Sequence, residues 1–355
     1  MLTTKKSKVL IFSLIVIITL GSFIVHFLGI LLAFKSNWLY IVLMSLLGLF
    51  ITSILASLFH ELGHLIFGLF SGLKLVELKI AFISFKFDKK FTISFVKPKE
   101  FGETVFMPKN TTNYSFKLRM ATLGGLVFSL IYLLFGMTIV FISSNLQLVL
   151  LFGVSYHLSF YILLVNAIPF SGSSDGTLLY SYYFKGGLSC ELIDNVLSAN
   201  AEILLGTMPK DVNSHYLTDF AVSYDYYLVM LKYYRYLAFL WRDEESAFKE
   251  LFQISDISKL PDELYEPIYK ELFFASVIRG DSSFIKNNEE IIIGYLENNS
   301  SPQDYRIHAS YRLYTGENEW AKLIIESGLK ALENEVQTGF VKYEKEFLLI
   351  LKSNI

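Results

Sequence analysis

The sequence predicts an α-helical multi-pass membrane protein with a small amphipathic β-hairpin insertion and a C-terminal all-α, tetratricopeptide-like soluble domain. Three observations predict it. The 355-residue chain is 53% hydrophobic and 18% charged, too apolar a balance for an ordinary soluble enzyme of this length. Its apolar residues collect in four long runs in the first half. From about Ser189 onward, charged residues return and apolar ones recur at helical spacing. The net charge of −2 gives no reason to expect a nucleic acid partner. The single cysteine, Cys190, excludes an intrachain disulfide and a thiolate metal cluster.

The four runs are Val9 to Phe34, Trp38 to Phe70, Met120 to Ser143 and Leu146 to Phe170, each near or above the roughly 20 residues a spanning helix needs. The first follows Lys5, Lys6 and Lys8 in the manner of a signal peptide. It is long enough to span, and no small-residue cleavage site follows it, so it reads as a membrane helix. The second is expected to be tilted or broken. Residues 73–119 hold ten Lys/Arg against four Asp/Glu, whereas the other loops between runs carry Lys35 alone. The positive-inside rule then makes both termini and segment 73–119 cytoplasmic, at the cell membrane.

Within that basic segment, Ile83, Phe85 and Phe87 alternate with polar residues, as do Phe91, Ile93 and Phe95. This is the period-two pattern of a hairpin turning at Asp88-Lys89-Lys90. Its aromatic face suits the lipid boundary, and its free edge suits an extended peptide. Beyond residue 187, segments Tyr224 to Leu240, Ala247 to Ile254, Leu264 to Arg279, Asn287 to Glu297, Tyr305 to Tyr314 and Glu319 to Glu333 read as short helices parted by turn residues. A membrane domain over 1–187 and a cytoplasmic helical domain over 188–355 are therefore expected, the latter offering a surface to a protein partner.

The chemistry centres on His60-Glu61-Leu62-Gly63-His64, an HExxH pattern inside the second run. On a helix, residues i and i+4 share a face, so both imidazoles can reach one ion while Glu61 reaches a water on it. Ionisable groups at this depth are expensive in lipid and are functional by default. Two histidines and a water leave tetrahedral zinc one ligand short. Asp175 is the candidate third ligand, because Pro169 stops the fourth run and the Ser/Gly stretch after it lets the chain turn back. His157, His26, His215 and His308 read as structural, with His26 lacking a nearby partner.

HELGH, the pair Gly124-Gly125 opening the next run, and Asn166-x-x-Pro169 followed by Asp175-Gly176 occur in the order in which the chain resembles the site-2 protease family of intramembrane zinc proteases. The resemblance covers roughly residues 45–185. It implies one zinc per chain on His60, His64 and Asp175, with Glu61 as catalytic base and Asn166 positioning substrate or stabilising the oxyanion. It also implies a substrate that spans or associates with the lipid bilayer. The chain departs from the family in having one residue more between Asn and Asp, in Ser174 where a hydrophobic residue is usual, and in Thr177 where a Gly or aromatic often stands. Two other functions fit part of the sequence: an inactive relative acting as a membrane scaffold through its C-terminal helices, and a metal transporter. The transporter needs more polar residues along the runs than are present.

Overall fold

The structure is a computed structural model. It describes every residue other than 1–4, 35–37, 88–90, 97–101, 170–173, 185–186, 221–225, 257–258, 261, 297–300 and 354. Two compact units result: Met1–Lys109 with Ser115–Gly186, and Asn110–Tyr114 with Gly187–Ile355.

The first unit holds α1 (Lys5–Phe34), α2 (Trp38–Phe70), α3 (Tyr114–Ile142), α4 (Leu146–Ala167) and α5 (Asp175–Tyr183), with strands β1 (Lys74–Ile80), β2 (Ile83–Lys86), β3 (Thr92–Phe95) and β4 (Gly102–Met107) between α2 and α3. Segment Leu10–Ile30 of α1 and the whole of α2, α3 and α4 are long and apolar enough to cross a membrane. The second run is one unbroken helix of 33 residues, not a broken one, because no proline interrupts it and its glycines are compensated by packing. Helix α4 packs against both α2 and α1. It ends where the Ile168 N–H bonds to the Leu164 carbonyl and Pro169 removes the next donor.

Two features of the sequence shape the turn out of α2. Gly72 takes φ +86°, a left-handed conformation that suits glycine, and the Leu73 N–H closes back on the Gly68 carbonyl at 2.9 Å. This is a glycine C-cap, and β1 starts two residues after Gly72.

The insertion is a four-stranded antiparallel sheet of order β3-β2-β1-β4, larger than the expected hairpin. Strands β2 and β3 are that hairpin, with Phe85 opposite Ile93. Its expected turn, residues 88–90, lies outside the described residues. Strand β1 was hidden because its register with β4 shifts between Leu75 and Glu77, a bulge that breaks the period-two signal, and β4, Gly-Glu-Thr-Val-Phe-Met, has no alternation of its own.

Histidine 26 is not isolated. Its ring lies 5.4 Å from that of His157 and 5.6 Å from that of Tyr156, and His157 Nδ1 is 3.0 Å from Ser22 Oγ.

The second unit is helical: α6 (Leu188–Leu204), α7 (Tyr226–Phe239), α8 (Glu244–Gln253), α9 (Asp262–Arg279), α10 (Ser282–Leu296), α11 (Pro302–Tyr314), α12 (Asn318–Asn334) and α13 (Gly339–Ser353). Helices α6 and α13 add to those read from the sequence. Neighbours in the chain pack together, α7 on α8, α9 on α10 and α11 on α12. Arg306 on α11 is fully buried and donates to Glu271 on α9 at 2.6 Å and to Glu344 on α13 at 2.7 Å. Such a buried pair is costly unless its charges are matched and hydrogen-bonded; here it ties three helices. His308 accepts from Arg312 Nε at 3.2 Å.

Candidate metal centre

HELGH lies in the C-terminal third of α2. Its two imidazoles point at α3, and the approach is close because neither helix has a side chain at the contact. A Cβ on Gly63 would collide with the Gly124 carbonyl, and one on Gly124 with the Gly63 carbonyl. A Cβ on Gly125 would fall on the His64 ring and lie 3.0 Å from His60 Cε1. Above this contact, Phe59 stacks on Tyr132 at 4.8 Å between ring centroids.

The backbone of α3 fixes how the rings are protonated. His60 Nδ1 sits 3.1 Å from the Gly125 carbonyl and 2.8 Å from Ser129 Oγ, and His64 Nδ1 sits 2.9 Å from the Ala121 carbonyl. A carbonyl can only accept, so each Nδ1 carries the proton, and each neutral ring is left with a lone pair on Nε2. This is the arrangement that metal-binding histidines use, with the outer nitrogen anchored and the inner one free to ligate.

Asp175 arrives from the other side. Ser174 caps α5, its hydroxyl accepting from the Thr177 N–H at 3.3 Å, which makes Asp175 the first residue of the helix. Gly176 lets this end press against the end of α4, since a Cβ there would strike the Ala167 carbonyl. Farther along α5, the guanidinium of Arg119 on α3 lies 3.3 Å above the Tyr182 ring, a cation–π contact that holds the short helix in place. Ser174 and Thr177 therefore form the cap that presents Asp175.

His60 Nε2 and His64 Nε2 are 3.1 Å apart, and Asp175 Oδ2 is 3.3 Å from the first and 3.2 Å from the second. Zinc–nitrogen and zinc–oxygen bonds of roughly 2.0–2.1 Å in a tetrahedron put donor atoms about 3.3–3.4 Å apart. The three atoms thus form one face of such a tetrahedron. Asp175 Oδ2 is buried and accepts no hydrogen bond. With both rings neutral and protonated on Nδ1, two nitrogen lone pairs and a carboxylate oxygen converge here and repel one another unless a cation joins them. The group fits a metal ion, and among the described residues His60, His64 and Asp175 are the cluster that could hold one.

Glu61 is 5% exposed and follows His60 directly on α2, beside the cluster. Its partner comes from the sheet: Thr104 on β4 donates its hydroxyl to Glu61 Oε2 at 2.5 Å. Strand β4 runs along α2, seated at one end where Gly102 leaves room for the Glu61 and Ser57 side chains and at the other where Phe106 covers Gly68. Among the described residues it has a strand neighbour on one side only. The free edge at the site therefore belongs to β4, whereas the hairpin edge expected to receive a peptide, β3, is at the far side of the sheet. Nothing in the spacing of the sequence pointed to Thr104; only the path of the β1–β4 pair brings it to Glu61.

Asn166 is in the last turn of α4, and its side-chain amide donates to the Ile162 carbonyl at 3.0 Å, back along its own helix. Residues 170–173, part of the loop expected to return Asp175 to the bundle, lie outside the described residues.

Comparison of the chain with family models, with curated proteins and with solved structures found no match.

Proposed function

We propose that the chain is a multi-pass membrane zinc endopeptidase of the site-2 protease type, hydrolysing peptide bonds of membrane-spanning or membrane-associated peptides. One observation carries this reading: His60 Nε2, His64 Nε2 and Asp175 Oδ2 converge to 3.1–3.3 Å beside Glu61, with both histidines on α2, a helix long and apolar enough to cross a membrane. A zinc ion bound there would lower the pKa of a water toward neutrality and polarise the scissile carbonyl. Glu61 takes the proton from the attacking water and returns it to the departing amine. Thr104 fixes the carboxylate that does so. The anchored Nδ1 atoms keep both rings aimed, and Arg119 and the Ser174 cap keep Asp175 in register with them. Asn166 retains the substrate-positioning role that the family resemblance implies.

Substrate presentation follows from backbone chemistry. An intact membrane helix keeps its carbonyls hydrogen-bonded, so it has to unwind before one can be attacked. The unwound strand then needs partners, and the open edge of β4 supplies them by strand addition, leading the strand past Glu61. The basic insertion puts this edge on the cytoplasmic side. His60 follows Trp38 by roughly 22 residues, about 33 Å of helix, against a hydrocarbon core of about 30 Å, which is the inner boundary of the bilayer. Both termini are then cytoplasmic, and the tetratricopeptide-like helices of the second unit face the cytoplasm, where a protein partner can reach them.

Glu61→Gln tests the assignment. Purified with a membrane-peptide library in proteoliposomes, this variant is expected to keep its zinc and lose cleavage by at least a hundredfold; turnover at the wild-type rate would remove Glu61 from the mechanism.

A further inference from the structure

A second polar group, apart from the metal centre, lies between α1 and α4. There a cavity of about 350 Å³ is lined by Thr19, Leu20 and Phe23 of α1, Leu49 of α2, and His157 and Tyr161 of α4, a volume within the range of small-molecule sites. Its walls are apolar apart from the side chains of Thr19, His157 and Tyr161. His157 is 4% exposed, and neither its Nε2 nor Thr19 Oγ1 has a hydrogen-bond partner; His26 Nε2 nearby lacks one as well. Leaving such atoms unpartnered in an apolar setting costs roughly 1–3 kcal/mol each, so their retention in one cavity asks for an occupant that bonds to them.

Depth decides what that occupant is. Thr19 is adjacent to the centre of the apolar segment Leu10–Ile30, and His157 is at the centre of Leu146–Ala167. Both are then about 15 Å from either headgroup region of a bilayer with a core of roughly 30 Å. A phospholipid or a diacylglycerol keeps its polar end at the interface and cannot present it here, and a charged group at this depth is expensive. What remains is an uncharged lipid whose polar group travels with the hydrocarbon. The flat side chains of Phe23, His157 and Tyr161 suit a planar ring, and Phe23 and His157 already meet edge to face at 6.0 Å between centroids.

We propose, on the membrane reading of the chain given under Proposed function, that this cavity binds the ring of a quinone carrying a hydrophobic tail, with one ring carbonyl hydrogen-bonded by His157 Nε2–H or the Thr19 hydroxyl. His157 Nδ1 lies 3.0 Å from Ser22 Oγ, and the tautomer that bonds a ring carbonyl is the one in which that hydroxyl donates to Nδ1 and Nε2 carries the proton. The site is a binding site, and no redox step is assigned to it.

The test uses the full chain in phospholipid nanodiscs, titrated with 2,3-dimethoxy-5-methyl-6-decyl-1,4-benzoquinone, with empty nanodiscs subtracted for partitioning. Saturable binding of about one quinone per chain is expected. It should weaken at least tenfold in His157→Phe and in Thr19→Val and disappear in Leu49→Trp, which fills the cavity without touching either polar atom. His157→Gln, which keeps a donor, should bind within about threefold of wild type, and zinc content should be the same in all four. Uptake no greater than that of empty nanodiscs, or saturable binding undiminished in these variants, would overturn the proposal. Alkaline carbonate extraction separates the two levels: a chain retained in the membrane without saturable uptake loses the quinone site alone, whereas a chain released by carbonate loses the membrane reading and the site with it.

Discussion

Gly125→Ala adds one methyl group to α3 at the point where the imidazoles of His60 and His64 lie against its backbone. The new Cβ would land on the Cε1 and Nε2 atoms of His64 and 3.0 Å from His60 Cε1, where an ordinary carbon contact is about 3.5–4.0 Å. The Gly125 carbonyl cannot yield freely, since it accepts from His60 Nδ1. The His64 ring therefore has to retreat by roughly 1 Å, against a tolerance of about 0.2 Å for a metal ligand. Overpacking of this kind costs about 1–3 kcal/mol. Charged to the metal-bound state, that is a loss of about 5- to 150-fold in zinc affinity. The assay is competition with a chromogenic chelator in detergent, with circular dichroism as a check on helix content. Gly29→Ala, where an added Cβ meets nothing within 4 Å, is the matched control. Zinc affinity within twofold of wild type in Gly125→Ala would refute the reasoning, because the rings would then not depend on the bare backbone of α3.

Two further outcomes follow from the same geometry. Thr104→Val removes the hydroxyl that holds Glu61 Oε2 at 2.5 Å; a hydrogen bond to a charged group contributes about 1.5–3 kcal/mol, so kcat is expected to fall tenfold or more with zinc content unchanged, and an unaltered kcat would show that the strand does not position the base. In the second unit, Asp243 caps α8 by accepting from Ser246, which holds its carboxyl below the ordinary value of 3.8. A depressed carboxylate stabilises above its unfolded pKa and loses that effect as the pH falls through its folded value. Thermal unfolding of wild type and Asp243→Ala should therefore differ at pH 7 and converge on acidification below about pH 4; a difference that persists would assign it to something other than the carboxylate.

Much of the candidate site was legible because its ligands follow local rules. HELGH announces itself by helical spacing, and Gly124, Gly125 and Gly176 are glycines whose reason is contact: the first two seat the imidazoles, and Gly176 seats α5 on the end of α4. The four apolar helices were legible from length and hydropathy alone. Elements shaped by pairing were not. The β1 strand lost its alternation to the bulge at Leu75/Glu77, and β4, which reads Gly-Glu-Thr-Val-Phe-Met, has no period of its own. With β4 went Thr104 and the edge next to Glu61, which depend on contacts between residues some 40 apart in the chain. The His26–His157 contact also depends on two distant helices meeting, so His26 read as solitary. Helix α13 carried an amphipathic signal in Val341, Phe347, Leu348 and Leu351; α6 carried one in Ile193, Val196, Leu197 and Ile203. Both were within reach of periodicity.

The central claim is that His60, His64 and Asp175 hold one metal ion, and the most direct measurement is the zinc content of the detergent-purified wild type, His64→Ala and Asp175→Ala chains by atomic emission. About one zinc per chain in the wild type, lost in both variants, is the predicted result; a wild type without zinc, or an Asp175→Ala chain that keeps it, would contradict the assignment.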